Sequence, residues 1–309
     1  MASPRIIDLG WIKGVPQSNN AGAGARGINN QSTIVGYCGK SAFYWMEAKG
    51  MCLLEREGYA YAINSKGDIT GKAGTSPCIW KRDGSRLIIP LFAGARSAFG
   101  YSISDDGTVV GDAMVGNSPV GFRFAAGELQ DLPDSPTITA SSGYDQPQEC
   151  NSAGEIVGAM QGKLNGVGFY LKPGALKREI IAIPGKGVTA NCITGTKVYC
   201  GVGTTSRPEP PALYDTATHN LQPLDWPQGA YPMAANTAGW VVGGVETSEK
   251  RSAFVYMPKT GFRDLNELLA SARGGWQLQQ ASAINDRNEI VGTGMLNGKK
   301  RAFLIRNLS

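Results

Sequence analysis

The chain has 309 residues, of which 42% are hydrophobic and 18% charged, with a formal charge of +5. This is a globular composition and excludes a disordered chain. The charge is too small to argue for nucleic acid, though it suits an acidic glycan or an anionic surface.

No run of eighteen apolar residues occurs, so no spanning helix and no membrane insertion is expected. The opening MASPRIIDLGWIKG lacks an apolar core and does not read as a secretory signal. Its RIIDL segment, Arg5 to Leu9, reads as a lone β-strand. Seven copies of one ten-residue pattern follow: GINNQSTIVG ending at Gly36, AINSKGDITG at Gly71, SISDDGTVVG at Gly111, ECNSAGEIVG at Gly158, CITGTKVYCG at Gly201, AANTAGWVVG at Gly243 and AINDRNEIVG at Gly292. Their mean spacing of about 43 residues is that of solenoids and propellers.

Each copy predicts a strand, a tight turn and a second strand. The third position is Asn29, Asn64, Ser104, Asn151, Thr194, Asn236 or Asn285, side chains that start turns by bonding backbone two residues on. The sixth position is Gly67, Gly107, Gly154, Gly239 or Asn288 in five copies, residues that accept a positive φ. A short aromatic segment comes next, such as AFYW, Ala42 to Trp45, or AFLI, Ala302 to Ile305. A fourth segment then follows, such as RLIIPL, Arg86 to Leu91. Four strands per repeat predict an all-β, seven-bladed β-propeller, with residues 1–309 forming one domain. The seventh copy lacks its fourth strand, so Arg5 to Leu9 is expected to close the last blade and remove an open sheet edge.

The pattern A-I-N-x-x-G-x-I-V-G followed by x-A-F resembles the HAF repeat family, bacterial repeats described as extracellular. The likeness is carried by Ala62–Gly71 and Ala283–Gly292, and by Ala42-Phe43, Ala253-Phe254 and Ala302-Phe303. The family's His before Ala-Phe is replaced here by Ser or Arg. The resemblance implies a propeller-like fold and supplies no catalytic residues.

Chemical motifs are scarce. The single His, His219, reads as a surface turn residue. NDRNE, Asn285 to Glu289, has a loose calcium-like spacing but occupies the repeat turn and is shorter than a calcium loop. The six Cys form no CxxC pair. They read as buried small hydrophobes, with a Cys192–Cys200 bridge left open. No metal, cofactor or catalytic residue is assigned.

The first strands are expected to line a central channel, with uniform hairpin turns on one face and variable loops on the other. Those loops bring Trp11, Tyr59, Tyr144, Trp226, Tyr231 and Trp276 together with Lys250, Arg251, Lys299 and Lys300 as candidate ligand-binding residues. The expectation is a non-enzymatic recognition or assembly module, binding a glycan or a protein partner outside its cell or in a virion such as a phage particle. The alternative is a polysaccharide-active hydrolase or lyase with its site at the channel mouth.

Overall fold

The computed structural model describes residues 3–16, 22–133, 143–162, 165–204, 207–247 and 251–308. The chain folds as a seven-bladed β-propeller of four-stranded antiparallel sheets, as its repeats predict. The blades fall into two compact units. The first comprises residues 1–60 and 226–309, and the second residues 61–225.

The first unit holds blades 6, 7 and 1. Blade 6 runs Ala230–Ala235, Val241–Glu246, Arg251–Met257 and Gly261–Asp264. Blade 7 runs Trp276–Ile284, Ile290–Leu296 and Lys299–Arg306, and its fourth strand is Arg5–Asp8. Arg5 pairs with Arg306, Ile6 with Ile305, Ile7 with Leu304 and Asp8 with Phe303, so the expected closure is present. Blade 1 runs Ala23–Ile28, Ile34–Cys38, Ser41–Met46 and Gly50–Glu55. A single helical turn, Leu265–Leu268, follows the fourth strand of blade 6. There the Asp264 carboxylate caps it by accepting from Asn266 N.

The second unit holds blades 3, 4, 5 and most of blade 2, whose first strand, Gly58–Ile63, begins in the first unit. The first strands of blades 3, 4 and 5 are Ala95–Ile103, Asp145–Cys150 and Val188–Thr194. Blade 5 adds a two-residue strand, Arg207–Pro208, in its second-to-third connection.

The same residues build each hairpin. Gly67, Gly107, Gly154, Gly239 and Asn288 all take positive φ, as their turns require, and Ser32 fills the same place in blade 1 at φ 59°. Asn285 Oδ1 accepts from Arg287 N and Glu289 N, each at 3.0 Å, and closes its own turn. Its Nδ2 donates to Asn29 O at 3.0 Å in the next blade. Asn236 does the same toward Asn285 O, and Asn64 toward Ser104 O. The turn residue is therefore also a blade-to-blade tie. The aromatic third strands supply the core: Phe43, Phe122, Phe169, Phe254 and Phe303 are fully buried.

Candidate functional site

The first strands are not regular. In blades 1, 3, 4, 5, 6 and 7 the pairing with the second strand skips the residue just before the ten-residue pattern: Arg26, Tyr101, Gln148, Asn191, Met233 and Ser282 respectively; blades 3 and 7 have a second shift, between Ala95 and Ala98 and between Leu278 and Gln280. Each skip is a β-bulge, which re-aims a side chain and is common beside functional sites. The bulge also explains the glycine that ends the repeat pattern. A Cβ on Gly111 would sit 1.8 Å from Phe99 O, on Gly243 2.1 Å from Tyr231 O and on Gly292 2.0 Å from Gln280 O. In those blades the first strand presses a carbonyl onto that Cα, so only hydrogen fits there, whereas Gly201 of blade 5 faces no carbonyl.

In the first unit the bulges gather cations, phenols and amides. Arg26 lies 5.6 Å from the Tyr37 ring centroid, and Lys300 Nζ lies 5.7 Å from it. The Tyr37 and Tyr59 rings are 5.7 Å apart. Tyr37 and the Thr293 hydroxyl press against Gly24, where a Cβ would come within 2.7 Å of both. Tyr231 OH lies over Gly244 in the same way and is hydrogen-bonded to Gln280 Nε2 at 3.2 Å. Burial raises the Tyr231 phenol above its ordinary pKa, and the charge of Arg26 reaches it in the opposite sense.

Two buried donors in this cluster have no hydrogen-bond partner: Arg26 Nε and Ser282 Oγ. Both belong to bulge residues, on the first strands of blades 1 and 7, which adjoin. A buried donor left unpaired costs about 1–3 kcal/mol, so a group that accepts from both stabilises the site.

The second unit has a cluster of its own. Asp112 is 1% exposed, and its Oδ2 accepts from Tyr101 OH at 3.1 Å and from Gln146 Nε2 at 2.9 Å. Burial pushes its carboxyl above the usual range, and the two hydrogen bonds act against that. The neighbouring acid Asp145 is held by Arg178 in a fully buried pair at 2.7 Å.

The residues predicted from sequence meet these clusters unevenly. Tyr59, Tyr231 and Lys300 belong to the first-unit cluster, although Tyr59 and Tyr231 sit on first strands and not on connections. Trp11 is not brought to it: Arg301 lies 5.7 Å from its ring and its Nε1 donates to Val15 O. Trp226 and Trp276 are corrected to core residues. Trp226 is 7% exposed and packs on Phe254, Tyr256 and Phe262, and Trp276 is 6% exposed against Phe303.

Arg251 is paired with Glu246 and Lys299 is exposed. Tyr144 OH packs on Gly166 in blade 4, and Lys250 lies outside the described residues. His219 is an exposed turn residue near Glu179. All six cysteines are free, which answers the Cys192–Cys200 question. The residues that sequence reasoning missed are Arg26, Tyr37, Tyr101, Asp112, Gln146, Gln280 and Ser282. Their shared signal is position: each is a bulged residue or lies within two residues of a bulge on its own or the paired strand.

No family model and no curated protein matches the chain. Solved structures do. A streptogramin B lyase is 12% identical, with a TM-score of 0.64 over 99% of this chain and 98% of that one. An oligogalacturonate lyase in complex with manganese is 12% identical, with a TM-score of 0.61 over 98% and 93%. A gluconolactonase from Xanthomonas campestris is 10% identical, with a TM-score of 0.50 over 98% and 89%. At this identity the likeness shows the fold. It also corrects the expectation of a non-enzymatic module, because the propellers this chain is similar to include enzymes. Among the described residues no helix is long and apolar enough to cross a membrane.

Proposed function

We propose that the chain is a propeller enzyme, a lyase acting on a carboxylate-bearing sugar polymer, with its site on the first unit around Arg26. The observation that carries this reading is the pair of unpartnered buried donors, Arg26 Nε and Ser282 Oγ, on adjoining bulges. Arg26 Nε only donates and the Ser282 hydroxyl can donate, so one acceptor satisfies both, and a carboxylate accepts in two directions. The presence of two lyases and a lactonase among similar folds supports a catalytic role.

The chemistry follows from the groups present. Hydrogen bonds from Arg26 and Ser282 to the substrate carboxylate stabilise the negative charge that develops when the α-proton leaves. The electron pair of that C–H bond forms the α–β double bond, and the glycosidic oxygen on the β-carbon departs and takes up a proton. Tyr37 and Tyr231 are the phenols beside Arg26. Tyr231, kept protonated by burial and oriented by Gln280, gives the proton to the departing oxygen, and the α-proton passes to water. Hydrolysis would need two facing carboxylates. The nearby acid, Glu246, is engaged by Arg251, which favours elimination.

The test is incubation of the full chain with polygalacturonate, alginate and a heparan-type polymer, and with neutral xylan as control. Elimination releases unsaturated ends that absorb in the ultraviolet. Growth of that absorbance with one acidic polymer and none with xylan supports the proposal. No product from any acidic polymer removes it.

A further inference from the structure

The second unit carries an unpartnered group of the opposite kind. Asp112 Oδ1 is a buried acceptor with no hydrogen-bond partner, on a side chain whose other oxygen is clamped by Tyr101 and Gln146. A nearly fully buried carboxyl oxygen without a donor calls for a donor from outside the chain.

Aromatic surface lies beside it. Phe99 and Tyr101 alternate along the first strand of blade 3, with rings stacked 6.0 Å apart at 5°. Tyr61 stands edge-on to both, at 6.3 Å from Phe99 and 5.4 Å from Tyr101. All three rings are half-buried. Phe99 also pairs with Asp112 across the strands, so the ring platform and the carboxyl share one stretch of sheet.

The charge at the site narrows the class of ligand. Lys72 Nζ already lies 4.4 Å from the Phe99 centroid, so the aromatic face holds a cation and repels a second. An organic ammonium is therefore disfavoured. A hydroxyl donates without charge, and a ring rich in hydroxyls also presents an apolar C–H face to an aromatic side chain. Aromatic lining with a few fixed polar groups is the usual make-up of a small-ligand site.

We propose that Tyr61, Phe99, Tyr101 and Asp112 form a binding site for a neutral sugar ring, whose hydroxyl donates to Asp112 Oδ1 while the ring lies on the aromatic face. The site uses none of the residues assigned to elimination, so it stands or falls separately from the proposed activity. Tyr101 has two parts: its ring belongs to the platform, and its hydroxyl positions the carboxyl.

The experiment is titration calorimetry of the full chain with cellotriose, xylotriose and mannotriose, with adenosine and choline as controls. Saturable binding of one trisaccharide, and of neither control, is expected. Asp112→Asn should weaken it about tenfold or more, because Tyr101 and Gln146 hold the amide oxygen and the amide NH2, which cannot accept, replaces Oδ1. Phe99→Leu should weaken it several-fold through loss of aromatic contact. Arg26→Gln should leave it unchanged. Thermal melts establish which variants fold, and if Asp112→Asn does not, Phe99→Leu and Tyr101→Phe carry the test. Absence of binding to any trisaccharide, binding of a control instead, or unaltered affinity in every folded variant of the site would overturn the assignment.

Discussion

Arg178 grips Asp145 with two parallel hydrogen bonds, Nη1 to Oδ1 at 2.7 Å and Nη2 to Oδ2 at 2.8 Å, and both side chains are fully buried. Arg178 Nε also donates to Pro133 O at 2.9 Å. Breaking a buried pair by removing one member leaves the other charge uncompensated and costs about 3–5 kcal/mol. Arg178→Met should therefore lower the unfolding free energy by that order in urea titration. A loss under about 1 kcal/mol would mean that the pair contributes little to the fold.

The repeat glycines are expected to differ sharply among themselves. Gly111→Ala drives a methyl to 1.8 Å from a backbone carbonyl, whereas Gly201→Ala meets only the movable Asn191 Nδ2 at 3.2 Å. Overpacking against backbone costs about 1–3 kcal/mol or more. Gly111→Ala should fall in that range and Gly201→Ala well below it, as read by urea midpoints. Equal effects would contradict the close approach of Phe99 O to Gly111.

Much of the fold was legible because its signals are local. The Asn and Gly of each turn announce themselves in sequence, and so does the aromatic third strand. The bulges are different. Arg26, Tyr101, Gln148, Asn191, Met233 and Ser282 share no chemistry, and one extra residue leaves no mark on a strand of six to nine residues. The sequence therefore points to the variable loops and, with them, to Trp226 and Trp276. Both are drawn inward because a large apolar ring gains most by packing on Phe254 or Phe303.

The closure of blade 7 rests on few residues. Arg5–Asp8 supplies its whole outer strand, and Leu9 N adds a hydrogen bond to Ala302 O. Each such bond contributes about 0.5–1.5 kcal/mol net, and Leu9 is itself buried. Deleting residues 3–9 should lower the melting temperature by several degrees or more. An unchanged melting curve would show that the strand is dispensable.

Glu149 occupies the position held by Gly27, Ala62, Ser102, Cys192, Ala234 and Ala283 in the other repeats. Its carboxylate accepts from Ile193 N at 2.8 Å, and burial lifts its pKa from 4.5 to about 7, against which that hydrogen bond works. Below 4.5 both folded and unfolded chains hold the proton, and no penalty arises. As pH rises from there to about 7 the unfolded chain ionises first, so stability falls. Above about 7 the loss is constant, at roughly 3 kcal/mol. Glu149→Gln should remove this dependence, matching the wild type in acid and exceeding it in base. Parallel curves across the range would contradict the assignment.

The central claim is that Arg26 neutralises a substrate carboxylate during elimination. The most direct measurement compares turnover of the acidic polymer that the chain cleaves with that of its fully methyl-esterified form, by wild type and by Arg26→Gln. Wild type should turn over the acid far faster than the ester. Arg26→Gln should lose about a hundredfold or more on the acid, the usual cost of one charge-stabilising donor, and little on the ester. Equal turnover of acid and ester by wild type, or an Arg26→Gln variant as active as wild type on the acid, would contradict the claim.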